Sequence, residues 1–173
     1  MEKESEKFRA IAAELQSMVE ADQAMRNQCT DNHGEWDDSV DHRNTERMKA
    51  IIEEIGWPSI SKVGYEGSSH AWLLVQHADD DPDFQRKCLD LMKSEPEDEV
   101  SRRDIAYLED RIAIGNGMPQ IYGTQFRTNC DGQLEPLPIQ DPDNVDKRRK
   151  EMGLETLSEN QKRIQEHYGR NSA

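Results

Sequence analysis

A helix buries its apolar stripe, so polar residues that fall on the stripe are the first place to look for chemistry. Two segments of this chain show the pattern. In the first, Phe8, Ile11, Ala12, Leu15, Met18 and Val19 recur at helical spacing, and the same stripe runs on to Asp22 and Arg26. In the second, Met48, Ile51, Ile52 and Ile55 form the apolar face, and stepping back along it reaches Asn44 and Asp41. A charge removed from water is costly unless it is paired or hydrogen-bonded. Inward polar residues on two helices therefore point to a polar cavity. Plainer readings stand beside this one: Asp22 and Arg26, four apart, can pair with each other, and Asp41 and Asn44 are capping types near the start of a helix.

His77 is the strongest single candidate. It follows Leu73 by four and Leu74 by three in the run AWLLVQHA, so it lies on or beside a buried face. It also sits in the last turn, where the helix dipole favours the imidazolium and burial opposes it. It suits a general acid/base or a phosphate donor, or else a core histidine bonded to backbone. Arg111 follows Tyr107 by four and adjoins Leu108 and Ile112. Its stem can pack while its head stays wet, or its guanidinium can project inward as an anion clamp. Gln120 to Gln125 mixes strand formers with amides and Gly123, a pattern that suits a bulge or a site wall.

These residues divide into roles. His77, Asp22 and Tyr122 form the catalytic group, with His77 as general acid/base, Asp22 orienting it and Tyr122 supplying a neutral hydrogen bond. Arg26 and Arg111 neutralise an anionic ligand, and Asn44, Gln125 and Asp41 complete the binding set. The expectation is that the segment Tyr122–Gln125, Arg111 and His77 line one cavity. The chemistry is of hydrolase or transferase type on a small molecule.

Metal and cofactor chemistry find no support in the motifs. Asp79, Asp80 and Asp81 lack the glycine and distal glutamate of a calcium loop, and His70 and His77 are seven apart rather than in an HExxH pair. No P-loop, Rossmann glycine pattern or GxSxG elbow is present. No metal and no cofactor are expected. Cys29, Cys88 and Cys130 are odd in number and show no CxxC spacing, which suits a reducing compartment.

The elements that must position these residues are mostly helical. Helices are expected over 4–28, from Ser39 or Asp41 to Ile55, over 69–77, from Pro82 after an Asp81 cap, over 101–114, 143–152 and 158–167. The segment 30–38 and the connection 59–67 read as loops. Gln120 to Arg127 and Gln133 to Ile139 flank Cys130-Asp131-Gly132, a hairpin signal, and Pro136 and Pro138 mark the second strand as an edge. The expected fold is mainly α, a single-domain helical bundle-like core over 1–173 with one β-hairpin near 119–139 and frayed ends at 1–5 and 168–173.

Composition bounds the partners. The chain has 173 residues, 34% of them charged and 34% hydrophobic, a net charge of -14 and a mean hydropathy of -1.02. Such acidity argues against nucleic acid, whose binding draws on cationic contacts to phosphate. The start MEKESEKFRA has no apolar core of a signal peptide, and no apolar run approaches the ~20 residues of a membrane helix. A soluble cytoplasmic protein is expected. The acidic stretches Asp79–Asp83 and Glu95–Glu99 also keep open a different class: an immunity- or antitoxin-like binder of a basic protein.

The ordered blocks DQAMR (22–26), DHRN (41–44), IGWPSISKVG (55–64), AWLLVQHADDDPDFQ (71–85), AYLEDRIAI (106–114), PQIYGTQ (119–125) and VDKRRKEMGL (145–154) carry a family resemblance. The chain resembles a bacterial domain of unknown function, family 6624, from about Ala13 to Leu157. The resemblance implies no settled activity. Its polar blocks coincide with Asp22, Arg26, Asn44, His77, Arg111, Tyr122 and Gln125. Ser68, Ser69 and His70 depart from it, standing where smaller, alanine-like residues are expected.

Overall fold

Leu15, Met48, Ile51 and Leu74 come from three helices, and each is at most 2% exposed. They are the centre of the first of two compact units, residues 1–101 and 102–173, into which the chain divides. The computed structural model describes residues 2–30, 37–130 and 132–171. Among them the fold is mainly α, with seven α-helices and one antiparallel two-stranded hairpin. No described helix is long and apolar enough to cross a membrane.

The first unit holds α1 (Glu2–Thr30), α2 (Asp38–Ile55), α3 (Ile60–Gln76) and α4 (Pro82–Ser94). Helix α3 packs against all three others, as its apolar run requires: Ala71, Leu74 and Val75 are buried. The α1 stripe is buried at Ile11, Leu15, Asp22 and Met25, so the polar continuation of the stripe is real. Helix α2 starts earlier than its sequence suggests. Its cap is Asp37, whose carboxylate accepts the Ser39 N–H at 3.0 Å. Asp41 therefore lies one turn inside the helix, and neither it nor Ser39 is the cap. Gly56 ends α2 with a positive φ of 69°, and Pro58 follows.

The segment read as a connection, 59–67, is a correction: α3 already begins at Ile60, with a break at Gly64 (φ 77°). The stop signals were local, but the cap comes from far along the chain. The Glu99 carbonyl accepts from the Ile60 N–H at 3.0 Å, and the Glu99 carboxylate accepts from the Ser61 N–H at 2.8 Å. Asp81 caps α4 through the Phe84 N–H, with Pro82 at the first helical position, as the sequence indicates. The expected loop 30–38 lies largely outside the described residues.

The second unit holds α5 (Arg102–Gly115), β1 (Phe126–Thr128), β2 (Leu134–Pro136), α6 (Val145–Glu151) and α7 (Leu157–Asn171), with a 3-10 turn over Pro142–Asn144. The hairpin exists but is short, pairing Phe126 with Pro136 and Thr128 with Leu134. The turn residue Asp131 lies outside the described residues. Helix α7 covers the outer edge of β2: the Gln165 side chain accepts from the Leu134 N–H, and the Gln161 amide donates to the Leu134 carbonyl. An edge covered in this way is protected from pairing with other chains.

Gln120 to Gln125 is not the first strand, and the reason is where its backbone donors go. The buried carboxylate of Asp110 accepts the N–H groups of Ile121, Tyr122 and Thr124 and the Thr124 hydroxyl, at distances from 2.6 to 3.2 Å. Buried Gln120 accepts from the Gln125 N–H and donates to the carbonyls of Gln125 and Leu137. Arginines of α6 take the carbonyl side: Arg148 donates to Ile121, and Arg149 donates to Tyr122 and Gly123. The two ends still bond across to the facing segment: the Gln120 N–H donates to the Pro138 carbonyl, the Gln120 carbonyl accepts from Gln140 and the Gln125 carbonyl accepts from Leu137, while the residues between them are held by Asp110 and α6.

Gly123 (φ 72°) is required at the tip of this loop, because an added Cβ would lie 2.8 Å from Leu157 Cδ1 and 2.9 Å from Ile139 Cδ1. Gly123→Ala is expected to destabilise the protein by about 1–3 kcal/mol, the usual range for overpacking and backbone strain. A shift of the urea midpoint to lower concentration measures it, and an unchanged midpoint would show that the loop can yield.

Candidate active site

The first unit brings together four of the residues singled out by pattern: Asp22, Arg26, Asp41 and His77. Asp22 is fully buried on α1, and both of its oxygens are used. Oδ2 accepts from the Gln23 side-chain amide at 2.8 Å. Oδ1 lies 2.9 Å from His77 Nδ1 and accepts from Arg26 Nε at 3.1 Å. The other arm of Arg26 turns to α2, where Nη2 donates to Asp41 Oδ1 at 2.6 Å. One arginine thus ties α1 to α2, and one carboxylate ties α1 to the end of α3.

Two hydrogen-bond arrangements compete at His77 Nδ1, because Arg26 Nε–H can donate to it and Asp22 Oδ1 can accept from it. His77 Nδ1 is within 3.1 Å of Arg26 Nε as well as 2.9 Å from Asp22 Oδ1. A bare Nδ1 would set its lone pair against that of a carboxylate oxygen. A protonated Nδ1 donates to Asp22 instead, and the Arg26 Nε–H also goes to Asp22. The Asp22 carboxylate favours the tautomer with the proton on Nδ1, in which Nε2 is the nitrogen left to act. A carboxylate in this position orients an imidazole.

Burial raises the affinity of Asp22 for a proton, but the hydrogen bonds from His77 and Arg26, the His77 charge and the Gln23 amide outweigh it and bring the carboxyl down to about 2. Asp41 goes the other way. Its burial pushes the carboxyl up, the opposing pull of Arg26 does not cancel that, and the Asp22 charge adds to it. Because the folded pKa of Asp22 lies below its ordinary 3.8, its contribution to stability is complete above 3.8 and is lost as pH falls through about 2. The difference corresponds to about 2 kcal/mol. Asp41 opposes this trend, so the comparison to make is wild type against Asp22→Asn. The wild-type advantage in urea unfolding is expected to shrink between pH 4 and pH 2, and a constant advantage would mean that Asp22 is not ionised in the folded state.

His77 lines a cavity of about 200 Å³ between one face of α2 and the segment joining α3 to α4. The α2 wall is Asp41, His42, Thr45, Glu46 and Lys49, and the opposite wall is His77, Ala78, Asp80 and Asp81. Lys49 crosses the cavity wall, 2.6 Å from Glu46 and 2.9 Å from Asp81, over the Phe84 ring. Those carboxylates hold its ammonium well above the usual lysine range. The wall residues beyond Asp41 and His77 escaped the sequence reading. Their signal was present: Asp41, Thr45 and Lys49 follow each other by four on one helix face.

The other candidates stand as follows. Asn44 is buried on α2 with no partner for its side-chain nitrogen among the described residues. Tyr122, Gln125 and Arg111 belong to the second unit. The Tyr122 hydroxyl donates to Glu109 at 3.2 Å, and burial followed by the Glu109 charge raises its pKa to about 12, so it is a neutral hydrogen-bond donor. Gln125 donates to the Thr124 hydroxyl and lines a cavity of about 260 Å³ with Tyr107, Phe126, Leu134, Arg163 and others of that unit. Arg111 is half-buried on α5. Among the described residues there is no cluster of three or more metal-ligating side chains. Cys88 is buried, which pushes its thiol up to about 12, and Cys130 is exposed.

The fold and site define a class: a mainly α protein whose helical first unit sets an aspartate-oriented histidine at a small, acidic cavity. The chain belongs to a family of unknown function (DUF6624), whose model matches residues 10–172. The match extends beyond the 13–157 over which the blocks carry the resemblance. No curated protein and no solved structure matches the chain.

Proposed function

We propose that the first unit carries a small-molecule pocket in which His77 acts as general acid/base. The observation that carries this reading is the 2.9 Å contact between Asp22 Oδ1 and Nδ1 of His77, a residue that lines the cavity, so that a proton on Nδ1 leaves Nε2 for the chemistry. Asp22 orients the ring. Arg26, held by Asp22 and Asp41, locks that orientation and is already neutralised, so its role is positioning rather than anion capture. Among the described residues that line the cavity, Thr45 is the one with a hydroxyl side chain. The arrangement thus favours proton transfer to or from a bound molecule or water, in a reaction of hydrolase or transferase type.

Three of the four aspartates in the stretch Asp79–Asp83, which as sequence suggests a face for a basic protein, have internal partners. Asp79 takes Gln85, Asp81 takes Lys49 and the cap, and Asp83 takes Arg86. That supports the pocket over the basic-protein reading. The loop 120–125 is bound at both its donors and its acceptors, which supports a scaffolding role for the PQIYGTQ block. The buried free thiol of Cys88 is in keeping with a reducing, cytoplasmic setting.

A thermal-shift screen of small polar metabolites against wild type and His77→Ala tests the proposal. Stabilising compounds are expected with wild type and lost with the variant. The variant itself should melt close to wild type, because Asp22 keeps Arg26 and Gln23. Hits that His77→Ala retains at full strength would contradict the assignment of His77 to the pocket.

A further inference from the structure

The charge on the cavity wall says what kind of molecule can sit beside His77. Asp41, Glu46, Asp80 and Asp81 line the cavity, and among the described lining residues Lys49 is the one lysine or arginine with them. That ammonium is already shared between Glu46 and Asp81. Behind the wall, Asp22 and Arg26 cancel each other at 3.1 Å. Four carboxylates face one ammonium on this wall, so the acidic side chains are in excess by three. A low-dielectric cleft of one sign focuses its field on whatever enters. An anion there would meet like charge with no free cation to receive it. The arginine that could have clamped one has Nε on Asp22 and Nη2 on Asp41.

We infer that the His77 pocket selects a small cation, a molecule bearing a primary ammonium group. This rests on the reading of His77 as a pocket residue and adds to it the class of ligand. The cavity of about 200 Å³ has room for roughly seven water-sized groups, which suits an aliphatic amine of a few carbons. Asp80 is exposed on the wall and supplies charge without being a helix cap. Asp41 faces the same space and spends one oxygen on Arg26. Ala78 and the stem of Lys49 offer the apolar surface that an alkyl chain needs. An ammonium held between these carboxylates lies beside the His77 imidazole.

The test is a titration of the whole protein with three probes of like shape and different charge: butylammonium, butanol and butyrate. The readouts are the His77 imidazole resonances and the melting temperature. Butylammonium is expected to shift both and to bind most tightly. Asp80→Asn, a surface change that leaves the fold intact, is expected to weaken butylammonium about fivefold, the effect of one charge at contact distance in water. Butyrate binding at His77 as well as butylammonium would overturn the charge inference while leaving the pocket in place. So would butanol binding equally well. If no probe of any charge moves His77, the pocket reading falls and this inference with it.

Discussion

Asp22→Ala is expected to lower the free energy of unfolding by about 3–5 kcal/mol, the usual cost of removing one partner from a buried ionic group. Asp22 is inaccessible to solvent, and three side chains, His77, Arg26 and Gln23, point their hydrogens at it. Alanine would remove the Asp22 contacts of the Arg26 guanidinium and would free the imidazole to turn. Asp22→Asn keeps the shape and one acceptor, so its loss should be smaller. Urea unfolding at neutral pH, with native circular dichroism as a control, gives the numbers. A loss below about 1 kcal/mol for alanine would place Asp22 among solvated surface carboxylates.

Asp110→Ala should be comparably severe, about 3–5 kcal/mol. The Asp110 carboxylate accepts three backbone N–H groups and one hydroxyl from the loop 121–124, and a hydrogen bond to a charged acceptor contributes about 1.5–3 kcal/mol when it is buried. The signature that separates this from general damage is local. The amides of Ile121, Tyr122 and Thr124 should lose protection from hydrogen exchange by more than those of α7. Uniform loss across the second unit would mean that the loop has no stability of its own to lose.

The sequence exposes much of this, and the misses share a cause. Helical periodicity carries α1, α2, α4 and α5, and the polar interruption of the α1 stripe led to Asp22 and Arg26, which the structure joins to His77 and Asp41. Local signals failed where a distant group satisfies the backbone. Ser59 to Gly67 looks like a connection because two glycines lie in it, but Glu99 supplies the cap that starts α3 there. Gln120 to Arg127 looks like one strand because of its Ile121 and Tyr122, but Asp110 and two arginines of α6 take donors and acceptors of 121–124, and the strand begins at Phe126. Asp110 itself was legible: it follows Ala106 by four, in register with a buried alanine. The neighbouring Arg111 drew the attention because guanidinium suggests anion binding. The charge on a cavity wall is not legible at all, since it depends on how α2 and the segment after α3 face each other.

The central claim is that Asp22 holds the proton of His77 on Nδ1 and leaves Nε2 free at the cavity. Nitrogen-15 NMR of the imidazole rings, with His77 assigned by His77→Gln, reads this directly. In the neutral ring, Nδ1 should show the shift of a protonated nitrogen and Nε2 that of a bare one, and Asp22→Asn should change this balance. A neutral His77 with its proton on Nε2 would contradict the account.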